Sequence, residues 1–591
     1  METLTVLDIV LFLGFFAVVV GVSLYKSRKE KSSEDYFLAS RGLIWPLIGL
    51  SIVAANLSTE QFVGMAGQAA GNVGLAVSAW QLTGAVGIVI IAFTLLPRFL
   101  KAGIYTMPEY LEYRYNGAAR QIMAFYTMII YVTVTSTAVL YSGGLTLSAI
   151  FGIDLILAIW IVGGIAAIYT TWGGLKAVAW ADLFQGIGLL VGGLVTMGLV
   201  FWASGGVSRF FQENADQLHM LLPADHPTLP WTGVLLGMWI PIVYYCGLNQ
   251  FIVQRTLAAK DLRQAQLGIV FTAALWLLVP FAIVLPGIGA YTLYGDDLAA
   301  EADKDNASVL SAFETLKAVD DNAEKMVTFE MDPIWKKRHP EKAEELAEHN
   351  AWVQAVAGER EYEVRREELI GYKYDAAYPV LIRKLVSPGV RGLMFAAIAG
   401  AVISSLASML NSASTIFTMD LYRSLLEKQA SQRRLVMIGR AMTLLFVVIG
   451  CLLAPKLADP EFKGVFNFIQ EFQGYISPGI VATYLVGLVI KRVPAFAGVL
   501  GLLASAPIYG LLHYLFGDHA DAVVPVHFLL RMLITFGAVA GIMLILTLVA
   551  PLRVPKTIPV REDLDARPSR LALGLGILVI FGVATIFVVF R

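Results

Sequence analysis

Two adjacent hydroxyls, Ser404 and Ser405, sit inside the apolar stretch 396–409. Neighbouring helical positions point about 100° apart, so one helix face cannot account for both. A hard cation such as sodium takes oxygen ligands. In an apolar setting these come from hydroxyls and from carbonyls that a broken helix sets free. Segment 43–70 contains such a candidate break, Ala54-Ala-Asn-Leu-Ser-Thr-Glu-Gln-Phe62. The alternative is that each serine bonds back to a carbonyl one turn earlier. A second chemistry is offered by Gln61, Gln81 and Gln470, uncharged donor–acceptors suited to the hydroxyls of a sugar or polyol. Trp80, Tyr244, Tyr245, Trp276 and Phe466 lie beside these or beside broken segments, where aromatic faces can cover the C–H faces of such a ring. The other aromatics read as packing and interface anchors.

Glu60, Asp182, Asn249, Gln250 and Glu471 complete the polar set in apolar context. An ionisable group at membrane depth costs roughly 2.5–3.5 kcal/mol on insertion scales and is functional by default. Glu60, Asn249, Gln250 and Glu471 serve equally well as hydrogen bonds between helices. No isolated Arg or Lys is evident in mid-span to meet a carboxylate, which favours a neutral solute. Catalytic patterns are missing: the 7 His form no metal pair at helical spacing, and no nucleophile elbow or phosphate loop stands out. Cys246 and Cys451 both fall in apolar spans and read as small buried hydrophobes.

The elements that must position these residues are membrane helices. Of 591 residues, 57% are hydrophobic and 15% charged, against about 25% charged in soluble domains. The net charge of −1 gives no field for nucleic acid. Apolar runs of roughly 20 residues, long enough to cross a bilayer, fall near 5–25, 43–70, 74–98, 119–148, 153–171, 177–203, 231–252, 264–294, 387–421, 432–456, 463–489, 493–514, 525–551 and 569–590. The first run has Glu2 and Asp8 ahead of it and Lys26-Ser-Arg-Lys-Glu-Lys31 behind it, the reverse of a cleaved signal peptide. It reads as a retained span with its N-terminus outside. The cytoplasmic segments then collect Arg98, Lys101, Arg255, Lys260, Arg263, Arg423, Lys428, Arg433, Arg434, Lys491, Arg492, Arg553, Lys556 and Arg561, as the positive-inside rule requires. An even number of spans puts the C-terminus outside too.

A polar insertion, 295–386, falls on the outer side. Glu341-Lys-Ala-Glu-Glu-Leu-Ala-Glu348 and Glu359-Arg-Glu-Tyr-Glu-Val-Arg-Arg-Glu-Glu368 have helix-forming spacing, so a solvated helical cap is expected, with a ligand-binding lid as the sharper reading. Gly173-Gly174 reads as a turn between helices. Besides 43–70, the span 231–252 is interrupted by Pro241-Ile-Val-Tyr-Tyr-Cys-Gly247 and then Asn249-Gln250. Non-helical backbone survives in a membrane only where it lines a cavity or is buried in protein. A pair of broken spans in separate halves marks a transporter site near the midplane.

Six motifs carry a resemblance over almost the whole chain outside 295–386. They are Ala54-Ala-Asn-Leu-Ser-Thr-Glu-Gln-Phe-Val-Gly-Met65, Gly103-Ile-Tyr-Thr-Met-Pro-Glu-Tyr110, Gly173-Gly-Leu-Lys-Ala-Val-Ala-Trp-Ala-Asp182, Gln254-Arg-Thr-Leu-Ala-Ala-Lys260, Ser404-Ser-Leu-Ala-Ser-Met-Leu-Asn-Ser412 and Ile469-Gln-Glu-Phe472. With them the chain resembles the sodium:solute symporter family, its sodium–sugar members above all. The resemblance implies an all-α polytopic membrane protein of about 14 transmembrane helices. Its leucine-transporter-like inverted-repeat core would occupy 43–489, with an extra helix at 5–25 and further helices over 493–590. It implies a sodium site from the carbonyls of Ala54, Leu57 and Ala401 and the hydroxyls of Ser404 and Ser405, with Asp182 on the sodium exit path. Tyr245 matches an inner gate held by Asn56, and Met65, Trp80 and Phe466 match an outer gate. Gln61 and Gln470 match sugar-contacting glutamines.

The chain departs from that pattern where a sugar-carrying member has a glutamate, serine, asparagine and lysine. Here those positions are Gln81, Gly84, Ile242 and Trp276. The pocket is less charged and more aromatic, so another hexose, a deoxy or N-acetylated sugar, a polyol or a glycoside is expected. The resulting expectation is a sodium symporter for a neutral solute, most simply a sugar, in a bacterial inner membrane. It is not an enzyme and takes no organic cofactor; its partners are sodium, the solute and the bilayer. A symporter for a carboxylate, amino acid, vitamin or inositol, and a non-transporting sensor with the same fold, are the rival readings.

Overall fold

The computed structural model describes residues 5–28, 32–58, 60–319, 327–360, 364–458, 465–517, 524–561, 564–565 and 567–591, with the backbone alone at 60, 149, 316–319, 356–360, 458 and 465–468. Among these residues, eleven helices are long and apolar enough to cross a membrane, and two further pairs of shorter helices pass together as bent spans. The longest helix, Leu155–Ala203, would reach about 73 Å at 1.5 Å per residue, far more than one crossing needs. It is broken at Gly174, whose φ of 51° and ψ of −155° leave the helical region. A Cβ there would lie 2.4 Å from the Tyr36 carbonyl, so both backbone and space require glycine. With that break counted, the spans among the described residues number fourteen, as the hydropathy pattern predicts.

Helix Val390–Ile416 is the hub. Nearly all of its residues are buried, whereas the rim helices Val6–Ser27 and Arg570–Val589 keep most of their surface exposed. It packs along Leu155–Ala203, and its first turn is fastened to Val6–Ser27 by Asp8. That carboxylate accepts from the amides of Gly389 (2.8 Å) and Gly392 (2.9 Å) and pairs with Arg391.

The connections sort into two faces. At one, Leu43 donates to Ala258 (3.0 Å), Arg561 to Lys101 (2.7 Å) and Leu552 to Arg492 (2.9 Å), which gathers the basic loops. At the other, Asp8 meets Gly389, Met220 donates to the Phe590 carbonyl (2.7 Å), and Thr292 bonds Asn214. Both ends of the described chain therefore share the face that carries the insertion.

The insertion is not helical throughout. Val327–Met331 pairs in parallel with Arg365–Leu369, beside helices Pro333–Arg338 and Pro340–Arg360. Glu341–Glu348 is helical as expected, whereas 365–368 lies in a strand and 361–363 outside the described residues. Strand pairing buries Leu369 and Phe329 with Phe313 and Trp335 in a small separate core, a gain that outweighs local helix preference. The subdomain touches the transmembrane part at helix Ala66–Ala70, where Asp375 lies against Gly67 and Tyr374 against Gly71.

Candidate functional site

Both interrupted segments are broken, the second at Asn249 alone, since the chain stays helical through 241–247. Helix Trp45–Asn56 ends at Leu57, whose ψ of 93° is extended, and the chain resumes at a 61° bend over Gln61–Ala70. The Ser58 amide turns to Oε1 of Gln61 (2.8 Å), which frees the Ala54 carbonyl from the donor a continuing helix would supply. The second segment runs over Gly233–Leu248 and resumes at a 43° bend as Gln250–Leu257, with Asn249 extended between them. The Tyr131 hydroxyl donates to the Asn249 side chain and accepts from the Phe251 amide (3.2 Å), satisfying the backbone that the break exposes.

A cavity of about 90 Å³ opens between the two breaks. It is lined by Gln61, Gln81, Gln470, Trp80, Trp276 and Ile242, with Met65, Gly84 and Cys246. No charged side chain lines it among the described residues. Gln81 Nε2 donates to Asn56 Oδ1 (3.0 Å) and Asn56 Nδ2 donates to the Tyr245 hydroxyl (3.0 Å). This chain of two bonds forms the floor, and a second cavity of about 40 Å³ lies beyond it, lined by Tyr131, Tyr244, Asn249 and Ser405. Asn56, Tyr245, Ile469 and Gln473 border both.

Gln473 escaped sequence reading, although it stands one helical turn after Gln470 on Val465–Val489, the spacing that puts two side chains on one face. Trp276 is 1% exposed, and its indole N–H has no partner among the described residues. It fits because position 84 is glycine: a Cβ there would lie 3.3 Å from Cζ3 of the indole. Trp80 stacks on Phe528 with ring centroids 6.3 Å apart. The side chains of Phe466 and Glu60 lie outside those described.

The paired serines sit beside the first break. Ser405 Oγ donates to the Ala55 carbonyl (3.0 Å), and Ser404 Oγ donates to Asp182 Oδ1. With both hydrogens directed away, the oxygens keep lone pairs free for a cation, which suits sodium chemically. Ala401 lies within the unbroken helix Val390–Ile416, so its carbonyl is not released by any bend.

Two expectations, a loop position for Arg255 and no cation in mid-span, need correction. Arg255 is no loop cation: it is 1% exposed on helix Gln250–Leu257 and pairs with the fully buried Asp182 at 3.0 Å. A mid-depth cation is therefore present, neutralised by a carboxylate whose partner lies 73 positions away in sequence. Glu471 faces away from the cavity and joins helices, accepting from Arg531 (3.2 Å) and Tyr509 (2.8 Å). Gln250 likewise bridges helices, taking the Met107 amide (2.9 Å) and donating to the Tyr105 carbonyl (3.1 Å).

The chain as a whole is similar to known transporters. The model of the sodium:solute symporter family matches residues 36–316 and 370–504. The sodium/glucose cotransporter of Vibrio parahaemolyticus is 37% identical, over 85% of this chain and 84% of its own. The human sodium/myo-inositol cotransporter 2 is 31% identical, over 84% of this chain and 68% of its own. The uncharacterized symporter YidK of Escherichia coli (strain K12) is 31% identical, over 95% and 87%. A solved Na+-coupled sialic acid symporter, in its substrate-bound outward-open state, has the same fold: TM-score 0.72 at 19% identity, covering 94% of this chain and 99% of that one. This integral membrane protein belongs to the sodium:solute symporter family.

Proposed function

We propose that this symporter couples sodium to the import of a neutral polyhydroxylated ring, most simply a sugar. The observation that carries the reading is the cavity in which Gln61, Gln81 and Gln470 meet the indoles of Trp80 and Trp276, with no charged side chain among the described lining residues. Amides match hydroxyls as both donors and acceptors, and indole faces cover a ring's C–H surface. A carboxylate or amino acid would want a lone cation, and the buried Arg255 is already neutralised by Asp182.

Sodium would sit between the first break and the paired serines, on the carbonyls of Ala54, Leu57 and Ala401 and the hydroxyls of Ser404 and Ser405. Each charge entering down the potential supplies about 2.3 kcal/mol per 100 mV. Because Ser405 holds the Ala55 carbonyl, next to Asn56 at the same break, filling the ion site orders the wall of the solute cavity, a positive coupling between the two. Tyr245, with Asn56, closes the way to the second cavity, and Met65, Trp80 and Phe466 close the outer side. Sodium leaves past Asp182. We place the basic-loop face in the cytoplasm and both termini outside, in a bacterial inner membrane, with the core over 43–489 and the insertion as an outer cap.

A cyclitol is the second reading, favoured by the likeness to the human myo-inositol cotransporter and by the same amides. Both are tested by thermal unfolding of the purified protein with sugars and cyclitols, in sodium and in potassium. A sugar that stabilises only in sodium supports the first reading. A cyclitol that does so, with sugars inert, replaces it, and stabilisation by neither refutes both.

A further inference from the structure

Behind the serine pair lies a polar cluster that the solute cavity does not use. Asp182 is fully buried, and accepts from the Ser404 hydroxyl on Oδ1, from the Ser51 hydroxyl on Oδ2, and from the Arg255 guanidinium on Oδ2 at 3.0 Å. Arg255 places three further donors on Ser51 Oγ, Ser408 Oγ and the Phe251 carbonyl. The cluster therefore holds one negative and one positive charge and is neutral as it stands. A sodium ion on Ser404 and Ser405 would leave a net positive charge with water excluded, which is costly unless one cation withdraws.

We propose that Arg255 is a tethered counter-cation, which holds Asp182 while the serine site lacks its ion and gives up that carboxylate when sodium arrives. The inference rests on the serine-site reading above. The guanidinium has somewhere to go: Ser408 Oγ and the Phe251 carbonyl already accept from it, independently of Asp182. The polar face continues beyond them, where Gln254 accepts from Ser412 (2.8 Å) and donates to Thr415 (3.1 Å).

The exchange also links ion to solute. Arg255 and Tyr245 flank the same break at Asn249, and each is tied to helix Trp45–Asn56, Arg255 through Ser51 and Tyr245 through Asn56. Freeing Arg255 loosens one of the two ties between the broken segments. Its return after sodium leaves restores a neutral, closed cluster in the empty carrier. Arg255 is thus a positioning residue that acts through Asp182.

The test reads sodium binding directly, from the sodium-titrated melting temperature of the purified full-length chain. Arg255→Gln removes the competitor, and sodium then binds at least about tenfold more tightly, because an unpaired buried carboxylate meets the ion. Arg255→Lys, which keeps the charge but loses the fork, gives an intermediate gain. A merely structural Arg255 predicts the reverse, a slackened serine pair and weaker binding. Equal or weaker sodium affinity in Arg255→Gln overturns the proposal. If that variant does not fold, Arg255→Lys decides by the same rule. A wild-type chain whose melting temperature ignores sodium, or whose sodium shift survives Ser404→Ala with Ser405→Ala, refutes the serine site itself, and this inference falls with it.

Discussion

Asn56 stands where the two cavities meet, accepting from Gln81 and donating to Tyr245, each at 3.0 Å. Asn56→Ala deletes both bonds at once. A neutral hydrogen bond contributes about 0.5–1.5 kcal/mol net, so the two together amount to roughly 2 kcal/mol. Gln81 and Tyr245 both line the cavity and can turn to water, so the loss falls on the solute, which must now order two loose groups. Roughly 2 kcal/mol corresponds to about a 30-fold weaker solute affinity. Tyr245→Phe removes only one of the two bonds and should cost about fivefold on the same reasoning.

The assay is the solute concentration that half-saturates sodium-dependent uptake into proteoliposomes, paired with the sodium-induced shift in melting temperature. That shift should stay within about twofold in apparent affinity, since the Asn56 side chain bonds Gln81 and Tyr245 while the serines bond Asp182 and the Ala55 carbonyl. An unchanged solute affinity in Asn56→Ala, beside a large loss in Tyr245→Phe, would show that Tyr245 acts without Asn56. Equal loss of sodium and solute binding would place Asn56 in the ion site instead.

Ser404→Ala with Ser405→Ala removes the two hydroxyls proposed to hold sodium and should abolish sodium dependence of uptake; full sodium stimulation in that variant would sink the assignment. Gly84→Ser places a Cβ 3.3 Å from the indole of Trp276 and should push the ring into the cavity, at about 1–3 kcal/mol of overpacking. Solute affinity then falls, or preference moves to a smaller solute, in competition uptake. Glu471→Gln strips the carboxylate from Arg531, which is buried, while Glu471 itself is partly exposed. The loss should be about 2 kcal/mol, less than the 3–5 typical of a fully buried pair, and it should appear in thermal unfolding while the solute concentration for half-maximal uptake stays unchanged.

What the sequence by itself determined is what depends on local pattern. Apolar runs near 20 residues define the spans because a bilayer accepts little else, and basic residues on alternate connections group the loops into two faces. The two broken segments were legible in the same way, since polar Asn56, Ser58 and Asn249 stand at the breaks, at depth where only a lined cavity tolerates them. Residues on those segments, together with Ser404, Ser405 and the glutamines, were consequently within reach.

Other features were decided only by the fold. Whether Arg255 sits in a loop or in the core depends on where the second break falls, and its neutrality depends on Asp182, a partner on a distant helix. The separation of two cavities by one hydrogen-bonded pair needs Asn56 and Tyr245, 189 positions apart, to meet. Trp276 fits only because Gly84 leaves room on another helix, and 365–368 becomes strand only because Val327–Met331 is there to pair with it. Charge pairing, close packing and strand pairing are each set by groups remote in sequence, so no local pattern records them until the chain has folded.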